Sequence, residues 1–171
     1  MNYTLNEIVE YRERIVFEII QAKEDIASIN NRRSKLNRLI PIMDVIIRSA
    51  KRCKNETNIH KIYAQMSYIL KDSYWPKDKY QSSLKKAYGF ISLAIENRTE
   101  SVEKYTIYEF NRLVLGINIE DEKYKKNIEL DLNCVKNDPS CVHMLSDTNA
   151  KLAPNLFQWL DMRKDLTTAS T

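Results

Sequence analysis

Residues 5–47 read LNEIVEYRERIVFEIIQAKEDIASINNRRSKLNRLIPIMDVII, and the spacing of their apolar residues decides the class of fold. Set in heptads from Leu5, the a column is Leu5, Arg12, Ile19, Ile26, Arg33, Ile40 and Ile47, and the d column is Ile8, Ile15, Ala22, Ile29, Leu36 and Met43. Eleven of these thirteen positions are apolar. An apolar residue every 3.5 positions forms a seam along which helices wrap. The expected fold is therefore all-α: a helical bundle with a long N-terminal heptad-repeat, coiled-coil-like helix.

The flanks of the seam define its use. From Glu18 to Asn37 the e and g positions are Glu18, Lys23, Asp25, Asn30, Arg32 and Asn37, leaving an apolar stripe only as wide as a coiled-coil contact. Val9, Tyr11 and Val16 widen the stripe before it, and Leu39 and Ile46 after it, as docking on a globular core does. An unbroken helix over 5–39 would be about 50 Å long at ~1.5 Å per residue. A compact chain of this length is only about 40 Å across. Part of such a helix must project or meet a partner, although the same pattern also lines the core of an intramolecular bundle. The resulting expectation is a noncatalytic assembly or regulatory factor, a homo-oligomer or a partner of another helical protein. Its contact would run through Ile8, Arg12, Ile15, Ile19, Ala22, Ile26, Ile29, Arg33 and Leu36. Arginines at a positions restrict register, and Glu18 and Lys23 would pair across a parallel dimer.

Three domain-level segments follow from the punctuation: a long helix over 1–56 kinked at Pro41, a helical bundle over 57–166 packed on its ends, and a frayed tail over 167–171. Thr4-Leu-Asn-Glu7 is a capping box that starts the first helix at Leu5. Pro41 lacks an N–H and its ring crowds the Asn37 carbonyl. Further helices are expected from Thr57 or Asn58, over 79–96, from Thr106-Ile-Tyr-Glu109 (a second capping box), over 120–135, over 141–151 and over 155–166. Gly89, inside a helix, implies close approach of a neighbour, whereas Gly116 is placed to end one in the left-handed conformation.

Composition removes whole classes of function. With two glycines in 171 residues, neither a dinucleotide-binding nor a P-loop phosphate motif exists. No apolar run is long enough to span a membrane. The N-terminal residues carry no secretory pattern, and three cysteines fit a reducing compartment, so a cytoplasmic protein with no membrane contact is expected. No catalytic residue, cofactor or small-molecule substrate is indicated. Cys53, His60, Cys134 and Cys141, with His143 nearby, offer zinc-ligand chemistry at a spacing too wide for the usual knuckles, and no metal is assigned.

Charge supplies the alternative function. Residues 31–90 hold 14 Lys and Arg against 4 Asp and Glu, a local excess of +10 in a chain of net +4. Arg48, Lys51, Arg52 and Lys54 lie in the same segment as Tyr74 and Trp75. Together they offer phosphate-pairing cations and stacking rings, the equipment of a sequence-nonspecific nucleic-acid-binding protein.

Overall fold

The computed structural model describes residues 3–23, 25–99 and 106–169; every described element is helical, and no strand forms among these residues. The chain divides into two compact units, Met1–Lys104 and Tyr105–Thr171. The expected boundary near residue 56 is not where the chain divides. Helices on both sides of it share the first unit.

In that unit, α1 (Leu5–Gln21), α2 (Ile26–Asn37), α3 (Ile40–Arg52) and α5 (Lys77–Glu96) all pack on α4 (Ile59–Asp72). Nine of the fourteen residues of α4 are buried, which makes it the axis of the unit. The Ser67 hydroxyl inside it donates to the Ala87 carbonyl at 2.8 Å, tying α4 to α5.

The expected single helix over 5–39 is replaced by a hairpin. Thr4 starts α1 as expected, its hydroxyl accepting the Glu7 N–H at 3.2 Å. At Ala22 the backbone turns extended (ψ 120°), and Asp25 caps α2 by accepting the Ser28 N–H at 2.9 Å. An Asp N-cap stabilises a helix start by about 1 kcal/mol. Ser28, Asn30 and Asn31 are weak helix formers that do little to carry a helix across the junction. With α2 packed back on α1, Glu18 meets Arg32 at 3.7 Å and Lys35 at 3.4 Å within one chain. The longest helical run is the bent pair α2–α3. Its bend falls at Arg38 and Leu39, both still in the right-handed helical region, with Pro41 in the first turn of α3. The axis turns there without the chain leaving helical geometry, as expected where a proline ring displaces the preceding carbonyl.

The second unit contains α6 (Ile107–Asn118), a 3-10 turn at Glu122–Tyr124, α7 (Ile128–Lys136), the short α8 (Met144–Asp147) and α9 (Leu156–Ala169). Phe110, Leu113, Val114, Leu132, Val135 and Leu156 form its core. Several local expectations are corrected here. The helix expected over 120–135 begins only at Ile128, because the Asp121 side chain accepts the Lys123 N–H and sets a tight turn first. Thr106 does not cap α6, since its hydroxyl is hydrogen-bonded to Asp138. The helix expected over 141–151 shrinks to α8 among turns. The tail expected to fray from 167 is helical through Ala169, and residues 170 and 171 lie outside the described residues.

The two glycines exchange roles. Gly116 sits inside α6 with no positive φ, and a Cβ there would stand 3.2 Å from Cγ1 of Ile128 and 3.5 Å from the Tyr124 carbonyl oxygen. Gly89 has nothing within 4 Å of the equivalent position.

Candidate functional site

The heptad seam is occupied by its own unit. Ile8, Ile15, Ile19, Leu36, Met43 and Ile47 are all buried, so in this conformation they offer nothing to a second chain. Arg12 donates from Nε to Oε1 of Gln65 at 2.8 Å and lies over the Tyr68 ring, 5.2 Å from its centroid. Arg33 donates to the Asp72 carbonyl at 2.9 Å. These a-position arginines therefore fix α1 and α2 on α4. Of the residues expected at an interface, Ala22 and Ile29 are half-buried and only Ile26 stands fully out, at 75 % exposure.

The basic segment holds cations paired within the unit and others, among them Arg38, Lys77, Lys79 and Lys86, that are exposed without an ion pair to a described residue. Arg32 and Lys35 face Glu18, and Lys71 pairs with Asp72 at 2.5 Å, so these charges are met by the unit's own carboxylates. Arg48, Lys51, Arg52 and Lys54 are exposed, and none forms an ion pair with a described residue. They occupy the last turns of α3 and the connector that follows. Arg48 and Arg52 are one turn apart on the same face, and Lys51 and Arg52 suit the negative end of the helix dipole. Only Arg48 has a described partner, the Asp44 carbonyl at 3.3 Å. Beyond the connector, Lys61 is exposed on α4, and the charges of Lys61 and Arg98 act on His60 between them. Burial, then those two charges, hold the pKa of His60 below its ordinary 6.5. His60 thus adds no positive charge to this end at neutral pH. The carboxylate of Glu56 accepts the Asn58 N–H at 2.9 Å.

Tyr74 and Trp75 do not join this cluster. Both follow the far end of α4, and fourteen residues at ~1.5 Å each place the two ends about 20 Å apart. Their loop has a structural task. The Asn37 side chain grips the Tyr74 backbone in both directions, donating to its carbonyl at 3.0 Å and accepting its N–H at 3.1 Å. The indole N–H of Trp75 donates to the Leu70 carbonyl at 2.7 Å, satisfying an orphan acceptor at the end of α4.

The candidate zinc ligands are divided between the units, Cys53 and His60 in the first and Cys134, Cys141 and His143 in the second. Among the described residues no group of three or more His, Cys, Asp or Glu side chains is arranged to hold a metal ion. None of the described helices is long and apolar enough to cross a membrane.

Two features went unread in the sequence. Glu18 is a charge hub within the hairpin, which needed the turn at Ala22 to be foreseen; the pattern Asp25-x-x-Ser28 was its available sign. Arg112 and Asp131 form a buried bidentate pair, Nε to Oδ2 at 2.9 Å and Nη2 to Oδ1 at 2.7 Å, for which a separation of 19 positions left no local signal. Compared with protein-family models, curated proteins and solved structures, the chain matches none.

Proposed function

We propose that this chain is a noncatalytic, cytoplasmic, sequence-nonspecific nucleic-acid-binding protein that contacts phosphates through Arg48, Lys51, Arg52 and Lys54. One observation carries the proposal: these four cations stand exposed within one short stretch of chain without a carboxylate partner among the described residues, whereas Arg32, Lys35 and Lys71 of the same unit are paired. Residues 1–104 carry 19 Lys and Arg against 13 Asp and Glu, so the long-range field around the cluster is also positive. Cations of this kind bind a nucleic-acid backbone by displacing condensed counterions, which gives affinity without base readout.

The test is fluorescence anisotropy with labelled probes of several unrelated sequences. The R48E/K51E/R52E/K54E variant should lose binding to all of them equally. Four acids at a helix C-terminus also weaken that helix, so the matching Gln variant is measured beside it. Undiminished binding by both variants would refute the assignment.

A second proposal, self-association, is favoured by a different observation. Phe17 and Ile26 lie toward the α1–α2 turn and are 62 % and 75 % exposed, large apolar side chains with no cover. This contact would use the hairpin rather than the whole stretch of 5–47. Phe17→Ser with Ile26→Ser should convert a concentration-dependent dimer to a monomer in sedimentation equilibrium. A wild-type chain that stays monomeric at high micromolar concentration removes this proposal.

A further inference from the structure

We infer that the nucleic acid taken by the Arg48–Lys54 surface is double-stranded and is held through its phosphates without base stacking. The inference rests on the nucleic-acid proposal above and specifies its substrate. Proteins that hold single strands combine a cationic groove with aromatic rings on which unpaired bases lie. Among the described residues, the hollow at this end is lined by no cation and no ring at this end is exposed. Arg48, Lys51, Arg52 and Lys54 are on outward faces, and the adjoining hollow of about 310 Å³ is lined by Ile46, Ser49, Ala50, Cys53, Glu56 and Ile62, with a carboxylate but no cation and no ring. Phe90, on the neighbouring α5, is only half-exposed and packs on Tyr63 with 6.1 Å between ring centroids. The exposed ring of Tyr74 is at the opposite end of α4. What remains is an exposed group of cations, which suits a continuous phosphate surface.

The apolar face of the same helix argues against a lipid surface as the polyanion. Met43, Ile47 and Ala50 of α3 are buried in the unit, leaving Val45 as the large apolar side chain exposed on the helix. An interfacial helix needs a free apolar face to enter the headgroup boundary. This one is committed.

Charge density also sets how steeply each form responds to salt. A duplex presents one phosphate per ~1.7 Å of axis, and the salt exponent per contact is about −0.9 for B-form duplex against about −0.7 for single strands. Four contacts then predict an affinity loss of about 150-fold for duplex, and about 50-fold for single strand, between 50 and 200 mM salt.

The experiment uses the whole chain with 20-base-pair DNA and RNA duplexes and each of their separated strands at 50 mM salt, together with the Tyr74→Ala and Trp75→Phe variants and anionic vesicles. The inference expects duplexes to bind at least tenfold more tightly than their strands, with both aromatic variants unchanged toward single strands. The DNA and RNA arms decide which backbone is preferred. Strands that bind as tightly as duplexes, or a strand affinity reduced by Tyr74→Ala, would overturn the inference while leaving the nucleic-acid proposal intact. Loss of all nucleic-acid binding, with or without vesicle binding, would overturn both.

Discussion

The two ends of α4 handle charge in opposite ways. At its C-terminal end Lys71, Asp72 and Arg33 are joined to one another, and Asn37, Tyr74 and Trp75 complete a hydrogen-bonded closure of the loop. At its N-terminal end Arg48, Lys51, Arg52 and Lys54 are exposed without a carboxylate partner among the described residues. Exposed cations, Arg38, Lys77 and Lys79, also stand beside the closed end, but there Arg33 and Lys71 serve structure, a task that none of the four cations at the open end has. Mutations at the two ends should therefore separate: stability from the closed end, binding from the open one.

The largest expected effect breaks the open end. Reversing Arg48, Lys51, Arg52 and Lys54 should lower nucleic-acid affinity by at least about 100-fold, since all four phosphate contacts become repulsions. Any loss of helix content by circular dichroism should be confined to the last turns of α3, where acids oppose the helix dipole, and the matching Gln variant should keep the wild-type helix content.

Asp72→Ala attacks the closed end. It removes the carboxylate that pairs with the ammonium of Lys71, a group only 11 % exposed. Breaking a buried pair costs about 3–5 kcal/mol, and the residual water access of Lys71 places this one near about 2 kcal/mol. Urea denaturation should show that loss with duplex affinity unaltered. Equal losses in both quantities would erase the distinction between the ends.

Acid titration extends the comparison to the two units. His60 has a folded pKa below its ordinary 6.5, so the unfolded chain binds the proton more readily. Its contribution is complete above about pH 6.5 and is lost as pH falls from there through the folded pKa. Asp138 has the opposite sign: hydrogen bonds from the Ser140 side chain, then from Thr106 and the Ser140 backbone, hold it down to about 2 from 3.8. Its contribution is complete above the unfolded value and fades as pH falls from 3.8 through 2. Each unit carries one tryptophan, Trp75 in the first and Trp159 in the second. In Trp159→Phe and Trp75→Phe variants the remaining indole should report acid loosening of the first unit at higher pH than the second. Simultaneous transitions would contradict the assignment of these two groups.

The smallest effect concerns the hairpin. Glu18 is a third exposed, and Glu18→Gln should cost no more than about 1 kcal/mol, as partly solvated pairs do. By contrast Ile19→Ala, at a fully buried seam position, should cost about 2–5 kcal/mol. That contrast checks that the apolar seam, and not its charged flank, holds the first unit together.

Local chemistry in the sequence foretold much of this. The 3.5-residue repeat marked the core positions Ile8, Ile15, Ile19, Leu36, Met43 and Ile47, while Leu5, Arg12, Ala22, Ile29, Arg33 and Ile40 are half-buried and Ile26 is exposed. The Thr4 cap, the bend beside Pro41 and the loop over 73–76 were legible because each depends on a few adjacent residues. What the repeat could not state is which surface covers it. An antiparallel return inside one chain and a second chain satisfy the same stripe, and the decision lay with one Asp25 cap. Gly89 and Gly116 illustrate the same limit: a glycine shows that a Cβ is dispensable, but whether a neighbour approaches depends on packing across the helix. For the candidate surface, the sequence supplied the cations but not their partners. Glu18 and Asp72 remove several from the basic segment, and about 20 Å of α4 separates the rest from Tyr74 and Trp75.

The most direct test of the central claim is a salt series on one duplex, with wild-type chain and the R48E/K51E/R52E/K54E variant titrated from 50 to 200 mM salt. Four phosphate contacts predict a log–log slope of about −3.6 for the wild-type chain. The variant should show no measurable binding at 50 mM. A wild-type slope near zero, or a variant that keeps the wild-type slope and affinity, would contradict the claim that the open end of α4 is the nucleic-acid contact.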